Sequence, residues 1–311
     1  MRWYAAVFIL LCAISFESSA QDSSVNFENK AVTLKEVVVR SNLNVPRFIQ
    51  RVKDDTTFHK AFLNLKVLGY TSLNDIRMLD RKGTPKATLV SRTRQETGNG
   101  CRWMHTLEEK VTGDMFTSRH AYNYYTGQLY SSIFFAHDTI CGETNIVAGT
   151  KFSTQNKSGI DKHKEQLKML FFNPGKRIPG LPFIGNKIAL FDEDVSALYD
   201  FTIDMVEYKG ELCYVFYIVP MTNLTSSQKD KIVINEMTTW FDTNTWEIRG
   251  RNYDLSYKAG VYDFDVHIEV EMTKFGEYLV PKVMRYNGDW DVIFKKREKG
   301  IFTATLFDFQ K

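Results

Sequence analysis

The sequence predicts a mostly β protein of the α+β kind, a curved antiparallel meander packed over a few helices. Three observations predict it. In Val261–Met272, the residues Val261, Phe264, Val266, Ile268, Val270 and Met272 are apolar, while Asp263, Asp265, His267, Glu269 and Glu271 alternate with them. Such a period-two pattern describes a strand with one buried and one wet face, as in antiparallel sheets. Short apolar runs of the same kind follow one another from about Tyr199 onward, separated by brief turn signals. The chain of 311 residues also carries 23 Phe and 15 Tyr, residues that broad sheets bury against bulky partners.

The chain opens with the pattern of a secretory signal peptide over residues 1–20: Arg2, the apolar run Trp3–Ile14, and the small residues Ser18-Ser19-Ala20 before Gln21. The run is shorter than the roughly 20 residues that span a bilayer, so cleavage is expected rather than anchoring. Cys12 lies within that run behind Leu11, which does not fit a lipid-modified cysteine. Residues 21–45 read as an N-terminal extension with a short strand at Ala31–Arg40, and 46–311 as a single β-rich domain. A net charge of +3 gives no case for nucleic acid as a partner.

Pro46 opens a helical stretch with Phe48, Ile49 and Val52 on one face, and Asp54–Thr57 caps a second with Phe58, Phe62 and Leu65 in line. His59 among them reads as a boundary residue. Strands are expected around the Lys82-Gly83 turn within Val67–Gln95, then at Cys101–Lys110 and Asp114–Ser118. Ala121–Ala136 is compatible with helix or strand. A polar segment, Gly149–Lys162, precedes a short helix at His163–Phe172.

The last third reads as eight strands: Asp200–Tyr208, Cys213–Pro220, Lys231–Phe241, Glu247–Tyr257, Val261–Thr273, Tyr278–Tyr286, Trp290–Lys296 and Ile301–Phe309. Turns are expected at Lys209-Gly210, Thr243-Asn244, Lys258–Gly260, Phe275-Gly276, Asn287-Gly288 and Lys299-Gly300. Short connections make sequential strands spatial neighbours.

Export places Cys101, Cys141 and Cys213 in an oxidising compartment, where one pair and one leftover thiol is the simplest arrangement. Cys213 sits inside an apolar run and is expected buried and free, which leaves Cys101 and Cys141 as the pair. The sequence shows no catalytic or cofactor motif such as a nucleophile elbow, a zinc helix or a phosphate loop, so no cofactor, no metal and no enzymatic activity are expected. Ser226–Lys229 has the S-x-x-K spacing but lies in a polar turn. His137 near Cys141 is the one thiol–imidazole arrangement, and the disulfide reading takes precedence over it.

Asn173–Asn186 stands apart, with three Pro and three Gly among basic and apolar residues. It is read as a surface loop. If the protein holds an apolar ligand, this loop is the candidate gate, with Ile178, Leu181, Phe183 and Ile184 touching the ligand and Lys176 and Arg177 meeting an anionic headgroup.

The stretch Thr239–Ile248, ending in the letters WFDTNTWEI, and the later Tyr278-Leu279-Val280-Pro281-Lys282 resemble the strands of periplasmic outer-membrane lipoprotein-carrier (LolA-like) domains. The likeness covers the last third and the helical N-terminal part. It implies a half-barrel closed over helices in the periplasm or at the outer membrane of a Gram-negative envelope. A concave sheet of that shape, lined by Phe, Tyr, Val and Met and not filled by helix, leaves an apolar groove suited to lipid or lipoprotein acyl chains or a hydrophobic protein segment, with outer-membrane components as further partners. The alternatives are an outer-membrane β-barrel or a structural adaptor of the envelope without a ligand.

Overall fold

Strand β9 (Tyr262–Phe275) shows how the alternating pattern sorts the two faces of the sheet. Phe264, Val266, Ile268, Val270 and Met272 are buried in the core, while Asp254 and Glu269 flank His267 on the opposite face. The computed structural model describes residues 45–147, 168–178, 184–258, 262–292 and 297–311. The expected signal peptide, Cys12, the strand Ala31–Arg40, Val261, the polar segment Gly149–Lys162, Leu181 and Phe183 lie outside the described residues.

Eleven strands form one antiparallel sheet. The N-terminal group is β1 (Gly69–Leu79), β2 (Pro85–Gly98), β3 (Cys101–Gly113) and β4 (Ile140–Cys141). The C-terminal group is β5 (Tyr199–Tyr208), β6 (Glu211–Pro220), β7 (Ile234–Asp242), β8 (Ile248–Lys258), β9, β10 (Tyr278–Val292) and β11 (Glu298–Gln310). Their order is β4-β3-β2-β1-β11-β10-β9-β8-β7-β6-β5. The chain thus builds outward from β1 to one edge, crosses to the far edge at β5, and meanders back until β11 pairs with β1. The order is open at β4 and β5, so the described strands do not close into a barrel.

Helices cover the apolar face. Helix α1 (Val45–Asp54) puts Phe48 among the rings of Tyr214, Phe216, Phe241 and Trp246 from β6, β7 and the following turn. Helix α2 (Thr57–Asn64) lies against β10, where Asn64 Nδ2 donates to Leu279 O at 2.8 Å. The ambiguous aromatic stretch forms helix α3 (Tyr125–Phe134), with Tyr130 packed on Phe302 of β11. Its first turn is held by Glu298, which accepts from the backbone N–H groups of Tyr125 and Thr126 at 2.7 and 2.8 Å. A carboxylate at this position satisfies otherwise orphaned donors.

Two expected turns are not turns. Asn287-Gly288 lies within β10 and Lys299-Gly300 within β11, and Gly288 pairs with Gly300. Asn-Gly signals a hairpin only where no better use of the glycine competes. Here a Cβ on Gly288 would stand 1.9 Å from the Tyr286 hydroxyl, so the glycine makes room for a buried ring. Asp114–Ser118 forms only an isolated bridge between Phe116 and Tyr122. Within the WFDTNTWEI stretch, Asp242 makes the turn: Oδ1 accepts from the N–H groups of Asn244 and Thr245 at 2.9 and 2.7 Å. The hydrogen bond from the Thr245 backbone, with that of Arg249, holds its carboxyl well below the usual range.

Beneath α3, the apolar face carries a buried polar network centred on Asn74. Asn74 Oδ1 accepts from Tyr130 Oη at 2.6 Å and Ser72 Oγ at 2.8 Å, while Nδ2 donates to Ser91 and Thr93 at 3.3 Å. All four positions of this amide are used, which fixes α3 laterally on β1 and β2. Asn74→Ala orphans several buried hydroxyls and is expected to cost about 1–3 kcal/mol, read by urea unfolding. A variant as stable as wild type would show that water replaces the amide.

Candidate functional site

The strand β4 is only two residues long, yet its Ile140 lines a cavity between the helices and the sheet. Cys101 pairs in register with Cys141 and Arg102 with Ile140. Cys101 and Cys141 form a disulfide with an S–S distance of 2.04 Å, and Cys213 is a buried free thiol. Gly142 follows at φ 73, a conformation that L side chains avoid, and its N–H donates to Gly100 O at 3.0 Å. This turn redirects the chain so that Asn145 reaches the end of α2 and Glu143 reaches Lys66 in the turn after it.

A cavity of about 410 Å³ lies between α2, the end of α3, the start of β1, the β3–β4 corner and the helical residues 168–172. Its apolar lining comes from Phe62, Leu63 and Leu65, from Ile133, Phe134 and Phe135, and from Ile140, Met169 and Phe172. Its polar lining is His59, Lys66, Tyr70, Arg102, Ser132, Glu143 and Lys168. The volume falls within the range of sites for small apolar ligands.

The polar wall is tightly organised. Fully buried Gln95 donates through Nε2 to Leu65 O and Leu68 O at 2.6 and 2.7 Å, which satisfies carbonyls of the turn after α2. Its Oε1 accepts from Arg102 Nη1 at 3.0 Å and so aims the guanidinium. Arg102 Nε then donates to Glu143 Oε2 at 2.6 Å, and Lys66 Nζ to Glu143 Oε1 at 2.8 Å. Partial burial pushes the Glu143 carboxyl up, and the hydrogen bonds from Arg102 and Lys66 more than reverse this, so it titrates below the ordinary carboxylate range. Burial pushes the Tyr70 phenol up to about 12 against the opposing pull of Arg102, so it stays protonated at neutral pH. Burial, reinforced by the Lys66 charge, lowers His59 below its ordinary value and keeps the imidazole neutral, its ring stacked on Phe172. Among the described lining residues, three cations thus face one carboxylate.

The sequence-predicted gate lies elsewhere. Ile178 and Ile184 are 2% and 0% exposed, part of the main core rather than a surface loop. Among the described residues, Ile178 N–H donates to Gly185 O and Leu190 N–H to Gly175 O. Arg177 pairs with Asp192, and Lys176 Nζ reaches Lys53 O. None of Lys176, Arg177, Ile178 or Ile184 lines the cavity, and Leu181 and Phe183 are outside the described residues. His59, expected at a boundary, is a lining residue. His137 Nε2 contacts Ser131 Oγ at 2.5 Å, and Cys141 is held in its disulfide rather than available as a thiol. Ser226–Lys229 is a single helical turn closed by a capping box between Thr225 and Gln228.

No family model matches the sequence, and no curated protein matches it. Among solved structures, the chain is similar to a DUF1329 family protein from Desulfovibrio piger, at 10% identity over 84% of this chain and 92% of that one, with a TM-score of 0.28. It is also similar to a candidate outer membrane lipoprotein-sorting protein domain from Vibrio parahaemolyticus, at 8% identity over 85% of this chain and 89% of that one, with a TM-score of 0.27.

Proposed function

We propose that this protein is a non-enzymatic envelope protein that is exported to the periplasm or outer membrane and holds an apolar chain in the cavity beside the disulfide. The single observation that carries the reading is the cavity itself, a space of about 410 Å³ with a largely aromatic and aliphatic floor beneath a polar wall. Aromatic walls fit a flexible hydrocarbon, which needs close contact and no directional partners. About ten buried methylenes at ~0.8 kcal/mol each contribute roughly 8 kcal/mol before association costs, so retention is expected at micromolar concentration or weaker.

Fluorescence titration with phenylnaphthylamine, a neutral apolar dye, tests this. The wild-type protein is expected to bind the dye. Ile133→Asp and Phe172→Asp place a charge against the dye at half-buried positions. Each is expected to weaken binding by at least about tenfold, because an unpaired carboxylate is costly in an apolar site. Equal dye binding by wild type and both variants would remove the cavity from consideration.

A further inference from the structure

The carboxylate of Glu143 is bonded at both oxygens, one by Lys66 and one by Arg102. The two donors come from separate elements, and Gln95 fixes one of them from behind. Two converging cations of this kind form an oxyanion site whether or not the anion belongs to the protein. Arg102 is well enclosed, with its side chain 12% exposed, so the site lies inside the cavity wall and not on open surface. Glu143 arrives from the other side. It sits on a segment without regular secondary structure, whose neighbours Gly142, Thr144 and Ile146 are exposed. Withdrawing Glu143 would therefore sacrifice little apolar packing, while the cation pair would remain in place.

Resting on the reading of the cavity as an apolar-chain site, we propose that its ligand is a single-chain amphiphile with an oxyanion head, a carboxylate or a phosphate. The head binds Lys66 and Arg102, and Glu143 occupies that site as an internal surrogate until the ligand displaces it. The hydrocarbon then lies along Phe134 and Phe172, and the exchange of one anion for another leaves no cation buried without a partner.

Displacement of bound phenylnaphthylamine by dodecanoate, dodecyl phosphate and dodecanol tests this on the full chain. Wild type is expected to bind dodecanoate or dodecyl phosphate about tenfold more tightly than dodecanol, the increment of charge-assisted hydrogen bonds at a partly buried site. Preference for dodecanoate assigns a fatty acid head, and preference for the phosphate assigns a phospholipid-type head. Lys66→Met and Arg102→Gln are expected to bring the anion-to-alcohol ratio close to one, with Lys66→Met the milder change should Arg102→Gln unfold the corner. Glu143→Gln is expected to raise affinity for the anions about threefold and leave dodecanol unchanged, since a competing charge has gone. Equal displacement by all three compounds, or weaker anion binding in Glu143→Gln, overturns the oxyanion assignment while leaving the apolar cavity standing. Failure of the dye and of dodecanoate to bind wild type overturns both.

Discussion

Replacing Cys101 and Cys141 together by alanine is expected to lower stability by about 2–4 kcal/mol. The bridge spans 40 residues of sequence, and loop-closure entropy alone gives about 4 kcal/mol for a loop of that size. For a domain of this length each kcal/mol lowers Tm by roughly 2–4 °C, so thermal unfolding is expected to move by about 4–16 °C. Reductant added to wild type should reproduce the shift. The effect on binding is expected to exceed the effect on stability, because β4 has only two paired residues and loses its covalent attachment. Ile140 and Glu143 then leave the cavity wall, so dye affinity is expected to fall, while the preference for an anionic head, which rests on Lys66 and Arg102, is expected to persist. The buried Cys213, whose thiol burial pushes up, should resist alkylation until the chain unfolds. An unchanged Tm in the double variant would show that Lys66, Arg102 and Asn145 hold this corner without the bridge.

Phe48→Ala is expected to be the most destabilising single change, at about 3–5 kcal/mol. Phe48 is 1% exposed and its ring meets those of Tyr214, Phe216, Phe241 and Trp246 at centroid distances of 5.5 to 6.2 Å. Truncation leaves a hole that four rigid rings cannot fill. The cavity is lined by residues of α2, α3, β1, β3, β4 and 168–172, away from β6 and β7. Dye affinity measured below the transition is therefore expected to stay within about twofold of wild type. A parallel loss of affinity would show that α1 and the cavity wall unfold as one unit.

The strands of the last third were legible because each carries its own pattern. Alternation in β9 needs no distant partner to be read, and Lys209-Gly210 announces its turn by two residues at positive φ. What misled was local chemistry with a distant purpose. Gly288 serves the Tyr286 ring, and the aromatic run that became α3 is settled by Glu298, far along the chain. The cavity was less legible still. His59, Lys66, Arg102, Glu143 and Phe172 share no motif, and only folding makes them neighbours. The closest sequence signal was the cysteine pair, since Arg102 and Glu143 lie one and two residues from its ends. The composition of the proline-rich segment is that of a surface loop, whereas Ile178 and Ile184 are buried in the core.

The pairing of β1 with β11 sets an order of events during synthesis. Gly69 lies beside Gln310, so the seam at the centre of the sheet cannot form until almost the whole chain is available. The hairpins of β1–β3 and of β5–β10 require only neighbours and can form early, but each then presents an unsatisfied edge and an uncovered apolar face. A chain threaded across a membrane from its N-terminus would hold β1 in that state for the full duration of transit. Refolding slower than that of the separate hairpins is expected of this non-local pairing, and loss of the last dozen residues would leave two half-sheets with no common centre.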